Sequence, residues 1–408
     1  MKLKLAVICS IGLCLLSSTE MWSQSLPISQ VLNAVNMDSL RNTVRILSGD
    51  TTIQMGSSTY LIANRTDTTN RKLARRYLYE KLLGLGLPTR LDSFVSDPSS
   101  IADANIIAEQ RGTVNPQVKV IICAYYWSWG NSGSPGADAN ASGCAAVLEA
   151  ARILSRYATG YTVVYALWDQ PVKQGSWIYA NAARLRGDSI LGVINLDQLG
   201  YDKLNSHIST VVFQRFAQSE PLADSLVALS KRYSFDSLVV SKYFWPLTGD
   251  HQSFYQKSYS AVVLTEDYPS HTNPNTESLK DTIGNFNLRT FRSRAMLAVA
   301  GIAWLAQTGD PLSVEGAVGR PEAIQLHQNY PNPFNPVTTI RYGLPARYHV
   351  SLTVFNTLGQ QVAVLQNGEQ EAGFHEVMFD ASGMASGLYF YRITAGTYVD
   401  TKKLLLIR

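Results

Sequence analysis

Cysteine is scarce: the 408 residues hold four, and Cys9 and Cys14 fall in an apolar N-terminal stretch. The other two, Cys123 and Cys144, lie in apolar surroundings without metal-ligand spacing, so they read as buried thiols without a function. Two cysteines exclude a disulfide scaffold. Basic runs are also missing. The net charge of +4 is spread thinly, so nucleic acid is not expected as a partner. Internal repeats and low-complexity tracts are absent, and beyond the N-terminus no apolar stretch is long enough to cross a bilayer.

What is present begins with an export signal. Lys2 and Lys4 precede an apolar run over residues 5–16 that is too short to span a membrane, and small polar residues follow. Residues 1–25 are therefore expected to be a signal peptide. Cys14 is a poor lipid-attachment site, because Leu15 and Leu16 continue the apolar run. The length predicts two domains, and 46% apolar residues suffice for sizeable cores.

Residues 26–307 alternate two kinds of pattern. Helical spacing of apolar residues marks 37–47, 72–83, 144–157, 176–185, 222–233 and 288–306, with Asp38 and the Thr68–Thr69 pair as starts of the first two. Short apolar runs at 118–126, 161–168, 190–196 and 261–265 read as strands buried on both faces. The alternation predicts an α/β domain, a mixed and mostly parallel sheet covered by helices on both faces. In such sheets ligands sit beyond the carboxyl ends of the strands, which points to the segments after Ala124, Trp168, Leu196 and Thr265. Residues 308–325, with Gly, Pro and Glu but no apolar period, read as a linker. Beyond it, short runs at 338–342, 349–355, 361–365, 374–379, 387–393 and 397–407 are separated by Gly, Asn and Pro turns. They predict a small all-β sandwich over 326–408.

Several motifs in the first unit occur in a specific order. They are Asn105-Ile106-Ile107-Ala108-Glu109, Pro135-Gly136-Ala137-Asp138-Ala139-Asn140-Ala141-Ser142-Gly143, Gly175-Ser176, Asn195-Leu196-Asp197-Gln198-Leu199-Gly200-Tyr201, Asp250-His251, and Asn273-Pro274-Asn275 ahead of Asp281-Thr282. Together they resemble the co-catalytic zinc aminopeptidase family, which includes bacterial leucyl aminopeptidases, glutaminyl cyclases and the transferrin-receptor protease-like domain. The likeness runs from about Met37 to Gln307.

That family's chemistry uses two zinc ions about 3.5–4 Å apart, a bridging carboxylate, further His or carboxylate ligands and a Glu general base. The resemblance implies a first His ligand where this chain has Tyr125, and a nearby Asp where it has Trp127. It puts the bridging carboxylate at Ala139, the general base at Asp169, the adjacent ligand at Gln170, and the last ligand at Glu277. Asp197 is the one ligand position retained, so four of five have changed. Neither ion keeps the three good ligands that a catalytic zinc normally has, and no bound cofactor is expected. The replacements can satisfy one another instead: Tyr125 could donate to Asp197 and Gln170 to Glu277.

Aromatic residues crowd the same mouth: Tyr125, Tyr126, Trp127 and Trp129 on one loop, Phe244 and Trp245 on another. Two readings fit, an aromatic-lined cleft for a peptide-like or glycan ligand, or apolar filling of a dead cavity. Asp250 and His251 recur near the site in relatives, and equally read as a helix-start Asp with a satisfied His. Asp138, Asp169, Asp197, Asp250, His251, His271 and Glu277 are neighbours in the family fold and could form an oxygen-rich cation site, although no local spacing supports one.

The second unit carries Asn329-Tyr330-Pro331-Asn332-Pro333-Phe334-Asn335-Pro336, Tyr342-Gly343-Leu344-Pro345, Phe355-Asn356-Thr357-Leu358-Gly359, Ser386-Gly387-Leu388-Tyr389-Phe390-Tyr391 and Lys403-Leu404-Leu405-Leu406-Ile407-Arg408. These resemble the type IX secretion sorting domain. The resemblance implies the type IX machinery as a partner, and release or attachment at the cell surface. The expected function is an exported pseudo-peptidase with a ligand-binding cleft; the alternatives are an altered metal-dependent aminopeptidase and a structural passenger without a ligand.

Overall fold

A computed structural model describes residues 28–94, 103–130, 133–169, 174–214, 219–233, 235–244, 249–306, 323–329 and 332–407. The expected signal peptide and residues 308–322 of the expected linker lie outside the described residues, as do Gln170, Trp245, Tyr330 and Pro331.

The described residues open with α1 (Ile28–Asn33) and α2 (Met37–Leu47). Asn36 rather than Asp38 caps α2, its side chain accepting from the Ser39 N–H at 3.0 Å. A hairpin of β1 (Ile53–Met55) and β2 (Ser58–Tyr60) leads to α3 (Thr68–Leu83), which starts earlier than its apolar spacing suggests. Its cap is Asp67, which accepts from the Asn70 N–H at 2.8 Å.

The main sheet then builds from β3 (Thr89–Phe94), β4 (Asp103–Gln110) and β5 (Asn115–Tyr125), followed by α4 (Gly143–Leu154), β6 (Tyr161–Trp168), α5 (Gln174–Arg186) and β7 (Ser189–Leu196). It continues through β8 (Ile208–Phe213), α6 (Ser219–Tyr233), β9 (Val239–Phe244), α7 (Asp250–Tyr255) and β10 (Ala261–Thr265), and α8 (Leu288–Leu305) closes it. The eight strands run in the order β3-β4-β6-β5-β7-β10-β8-β9. The central β6-β5-β7-β10 strands are parallel, while β3 and β4 on one side and β8 on the other join antiparallel.

Alternation along β5 shows how both faces are covered. Val120, Ile122 and Ala124 enter the core with α4 and α8, whereas Ile121 and Cys123 meet Tyr179 and Ala180 of α5 and Phe254 of α7 on the other face. Cys123 and Cys144 are buried free thiols.

The strands that apolar runs did not reveal have a common reason. β3 and β9 are edge strands with every residue exposed or half-buried and polar residues interrupting any apolar run, and β8 buries Ser209 and Thr210 instead of an unbroken apolar run. Ser209 can be buried because its hydroxyl donates to the Thr265 carbonyl at 2.7 Å.

The second unit comprises β11 (Gln325–Leu326), β12 (Val337–Leu344), β13 (Tyr348–Phe355), β14 (Gln361–Gln370), β15 (Gly373–Asp380), β16 (Gly387–Ala395) and β17 (Tyr398–Leu406). β11 starts inside the expected linker. Two antiparallel sheets, β11-β12-β15 and β14-β13-β16-β17, share one core of Ile340, Tyr342 and Phe379 against Leu352, Tyr391 and Leu404. Among the described residues, no helix is long and apolar enough to cross a membrane.

Candidate functional site

Neighbouring strands β5 and β7 end side by side, bringing Tyr125 to Asp197. The Tyr125 hydroxyl donates to Asp197 Oδ1 at 3.1 Å, as expected from the sequence. Both side chains are half-buried. Burial, and then the charge of Asp250, push the Asp197 carboxyl up to about 7, against the opposing pull of the Tyr125 hydrogen bond. Burial and the Asp197 carboxylate push the Tyr125 phenol well above its ordinary value, so it stays a neutral donor.

Ala139, at the expected bridging position, is buried, and a cis peptide joins it to Asn140. The N–H groups of Asp138 and Ala139 donate to the Asp281 carboxylate at 2.9 and 3.1 Å. Burial and the nearby Asp138 push Asp281 up to about 6. The rest of this motif ties two loops together. Asn140 donates to the Leu196 carbonyl at 2.8 Å, Ser142 accepts from the Leu199 N–H at 3.0 Å, and Asp138 accepts from the Gly200 N–H at 2.7 Å. Gly143 lets the loops approach, since a Cβ there would sit 2.8 Å from the Leu196 carbonyl oxygen.

Asp169, expected at the general-base position, is engaged elsewhere. Its Oδ2 accepts from the Tyr126 hydroxyl at 2.6 Å and the Ala104 N–H at 3.0 Å, and its Oδ1 lies 3.2 Å from Arg71 Nε. Tyr126, a cleft candidate by sequence, is fully buried in that contact. Asn105 accepts from the Asp169 N–H at 3.1 Å just beyond β6 and donates to the Gly175 carbonyl at 2.9 Å in α5. Ser176 meets Ser253 at 2.9 Å. The Asn105 and Gly175-Ser176 motifs thus hold the end of β6 to the start of α5 rather than supply reactive groups.

Asp250 and His251 begin α7 and are buried, with Asp250 facing the Tyr125–Asp197 pair closely enough to raise both. Glu277, by contrast, is exposed on a loop, and its expected partner Gln170 lies outside the described residues. His271 is exposed and pairs with Asp267 at 2.9 Å, while Asp138 accepts from Asn273 at 2.9 Å. The structure therefore does not gather the seven residues of the oxygen-rich alternative. Among the described residues, no group of three or more His, Cys, Asp or Glu side chains is arranged to hold a metal ion.

The aromatic row is partly realised. Ring centroids of Tyr125 and Trp127 lie 6.2 Å apart, and those of Trp127 and Trp129 4.8 Å apart. Trp127 is buried but Trp129 is 40% exposed at the outer end. Phe244 packs on Phe213 with centroids 6.0 Å apart.

Sequence reasoning used Asp281 only as a landmark and overlooked Arg65. Arg65 is fully buried and donates to the carbonyls of Tyr126, Pro135 and Gly136 at 2.7–2.8 Å, and also to that of Leu47. No local pattern distinguishes Arg65 from a surface arginine.

A mostly parallel sheet with its special loops at the carboxyl ends of the central strands, followed by a small sandwich, defines an α/β unit with a β-sandwich appendage. Residues 105–301 match the model of peptidase family M28, and residues 328–407 match that of the secretion system C-terminal sorting domain. The chain carries a peptidase family M28 domain followed by a type IX sorting domain. The sorting domain indicates secretion and surface localisation.

Solved structures share the fold. The Legionella pneumophila LapA aminopeptidase is 17% identical, with a TM-score of 0.57 over 69% of this chain and 75% of that one. BSAP, a zinc aminopeptidase from Bacillus subtilis, is 13% identical, with a TM-score of 0.56 over 66% and 95%. A glutaminyl cyclase from Fimbriiglobus ruber is 16% identical, with a TM-score of 0.54 over 66% and 95%. No curated protein matches the chain.

Proposed function

We propose that this chain is an exported pseudo-peptidase: an M28 fold that holds a peptide-like or glycan ligand at an aromatic-lined cleft without hydrolysing it. The observation that carries the reading is the Tyr125–Asp197 hydrogen bond, a neutral phenol satisfying the one retained ligand position. The donor set does not fit a co-catalytic zinc pair. A phenol held well above its ordinary pKa is a poor ligand, the Ala139 methyl group cannot bridge two ions, and Glu277 is exposed. Asp169 is buried, with both carboxylate oxygens engaged by Tyr126, the Ala104 N–H and Arg71, which argues against its taking a proton from water. Trp129, exposed at the end of the aromatic row, supports an accessible wall rather than a wholly filled cavity.

The test is metal content of the mature protein after dialysis against zinc, together with turnover of aminoacyl chromogenic substrates. The expected outcome is no retained zinc and no turnover, with quenching of tryptophan fluorescence when peptides or oligosaccharides are titrated in. About two zinc ions per chain with turnover would make the protein an aminopeptidase and overturn the reading. No quenching by either ligand class would leave the domain a passenger.

A further inference from the structure

The residues that identify the sorting domain divide into two sets once it is folded. One set has an architectural reason. Tyr391, Leu404 and Leu406 fill the core, and the Tyr391 hydroxyl donates to the His327 carbonyl at 2.6 Å. Asn332 accepts from the Leu405 N–H at 2.8 Å, and the Phe334 N–H donates to the Leu405 carbonyl at 2.9 Å, which covers the outer edge of β17. Asn356 Oδ1 accepts from the N–H groups of Leu358 and Gln360, closing a turn in which Gly359 takes a φ of 77°.

Phe355 and Phe390 have no such reason. They pair directly across β13 and β16, half-buried on the face opposite the core residues Val354 and Tyr391. Arg392, exposed, lays its guanidinium over the Phe355 ring at 5.2 Å and donates Nε to Thr401 Oγ1 at 3.2 Å. With Thr357 these residues line a cavity of about 300 Å³. Lys403, exposed, pairs across the strands with Phe390 and adds a second cation to the same face. Among the described residues no carboxylate pairs with Arg392, whose planar fork is already aligned by the ring beneath it.

We infer that the Phe355–Phe390–Arg392 cavity is the surface by which the sorting domain is recognised, and that it takes a carboxylate-bearing segment of the secretion machinery. The Phe355 ring covers one face of the guanidinium and leaves its exposed fork available to a bidentate carboxylate, and Lys403 adds attraction of the same sign. An apolar partner would leave both cations uncompensated, so charge complementarity favours the acidic one.

The test is export of the full-length chain in a type IX-competent host, comparing chain outside the cell with chain retained inside. Arg392→Glu and Thr357→Glu each place a negative charge in the cavity. Each is expected to lower the exported fraction by about tenfold or more, the scale of losing one charge-assisted contact. Arg347→Glu, an exposed arginine of the same domain that does not line the cavity, should be exported normally. Thr357 lies in a turn and is exposed, so its substitution tests the cavity even if the Arg392 variant fails to fold. Normal export of Thr357→Glu, with retention of a chain truncated after residue 325, would overturn the inference. So would equal retention of Arg347→Glu.

Discussion

At Asp197 a phenol stands where the family resemblance implies a metal ligand, and the exchange alters how the carboxylate is stabilised. A divalent ion would hold Asp197 ionised. Burial, with the charge of Asp250 nearby and only a neutral hydroxyl at 3.1 Å to oppose them, leaves it at about 7. Asp281, at about 6, is shifted in the same direction. Both folded values lie above the ordinary 3.8, so each group contributes stability that is fully present below about pH 3.8. That contribution is lost as pH rises through about 6 for Asp281 and about 7 for Asp197. The urea midpoint of the metal-free protein should therefore fall as pH rises from about 4 to about 7 and level off above, and Asp197→Asn should remove the part of the fall that extends from about 6 to about 7. Tyr125→Phe removes the hydrogen bond that lowers the Asp197 value, so the same step should move to higher pH. An Asp197→Asn protein with an unchanged pH profile would show that the carboxyl titrates normally.

The elements carry most of what the family motifs do here. Asp138, Asn140 and Ser142 tie the turn before α4 to the end of β7, and Asn105 holds the end of β6 to the start of α5. These tasks need side-chain hydrogen bonds and close backbone approach, and none of them calls on a metal ion. The order of the motifs was legible because each is local in sequence. Arg65 was not legible, because its carbonyl partners in residues 126–136 are brought to it only by folding. Arg65→Leu leaves those carbonyls without their donor and should destabilise the first unit by about 3 kcal/mol or more in urea unfolding. Arg65→Lys should restore little of this, because an ammonium cannot reproduce the planar fork that reaches several carbonyls at once. A midpoint within error of the parent protein for Arg65→Leu would refute this role.

Over the whole molecule, the two units have separate hydrophobic cores with no shared residue. Calorimetry of the mature chain should show two unfolding transitions. A chain ending at residue 306 should keep the one belonging to the α/β unit with its melting temperature within a few degrees, and one shared transition lost on truncation would show that the units are coupled. The sequence alone determined the two-unit organisation, the α/β and all-β classes and the buried central strands, because burial on both faces demands unbroken apolar runs and turns demand Gly, Pro and Asn. Edge strands β3 and β9 obey no such demand, and only the sheet revealed them. The sequence also pointed to the Tyr125–Asp197 contact, through the family resemblance that put both residues at ligand positions of one site. Tertiary structure alone decided that Asp169 turns to Tyr126 and Arg71 and that Glu277 stays in solvent. A side chain's protonation and partners depend on what lies within a few ångströms, and residues distant in sequence supply that surrounding only after the chain has folded.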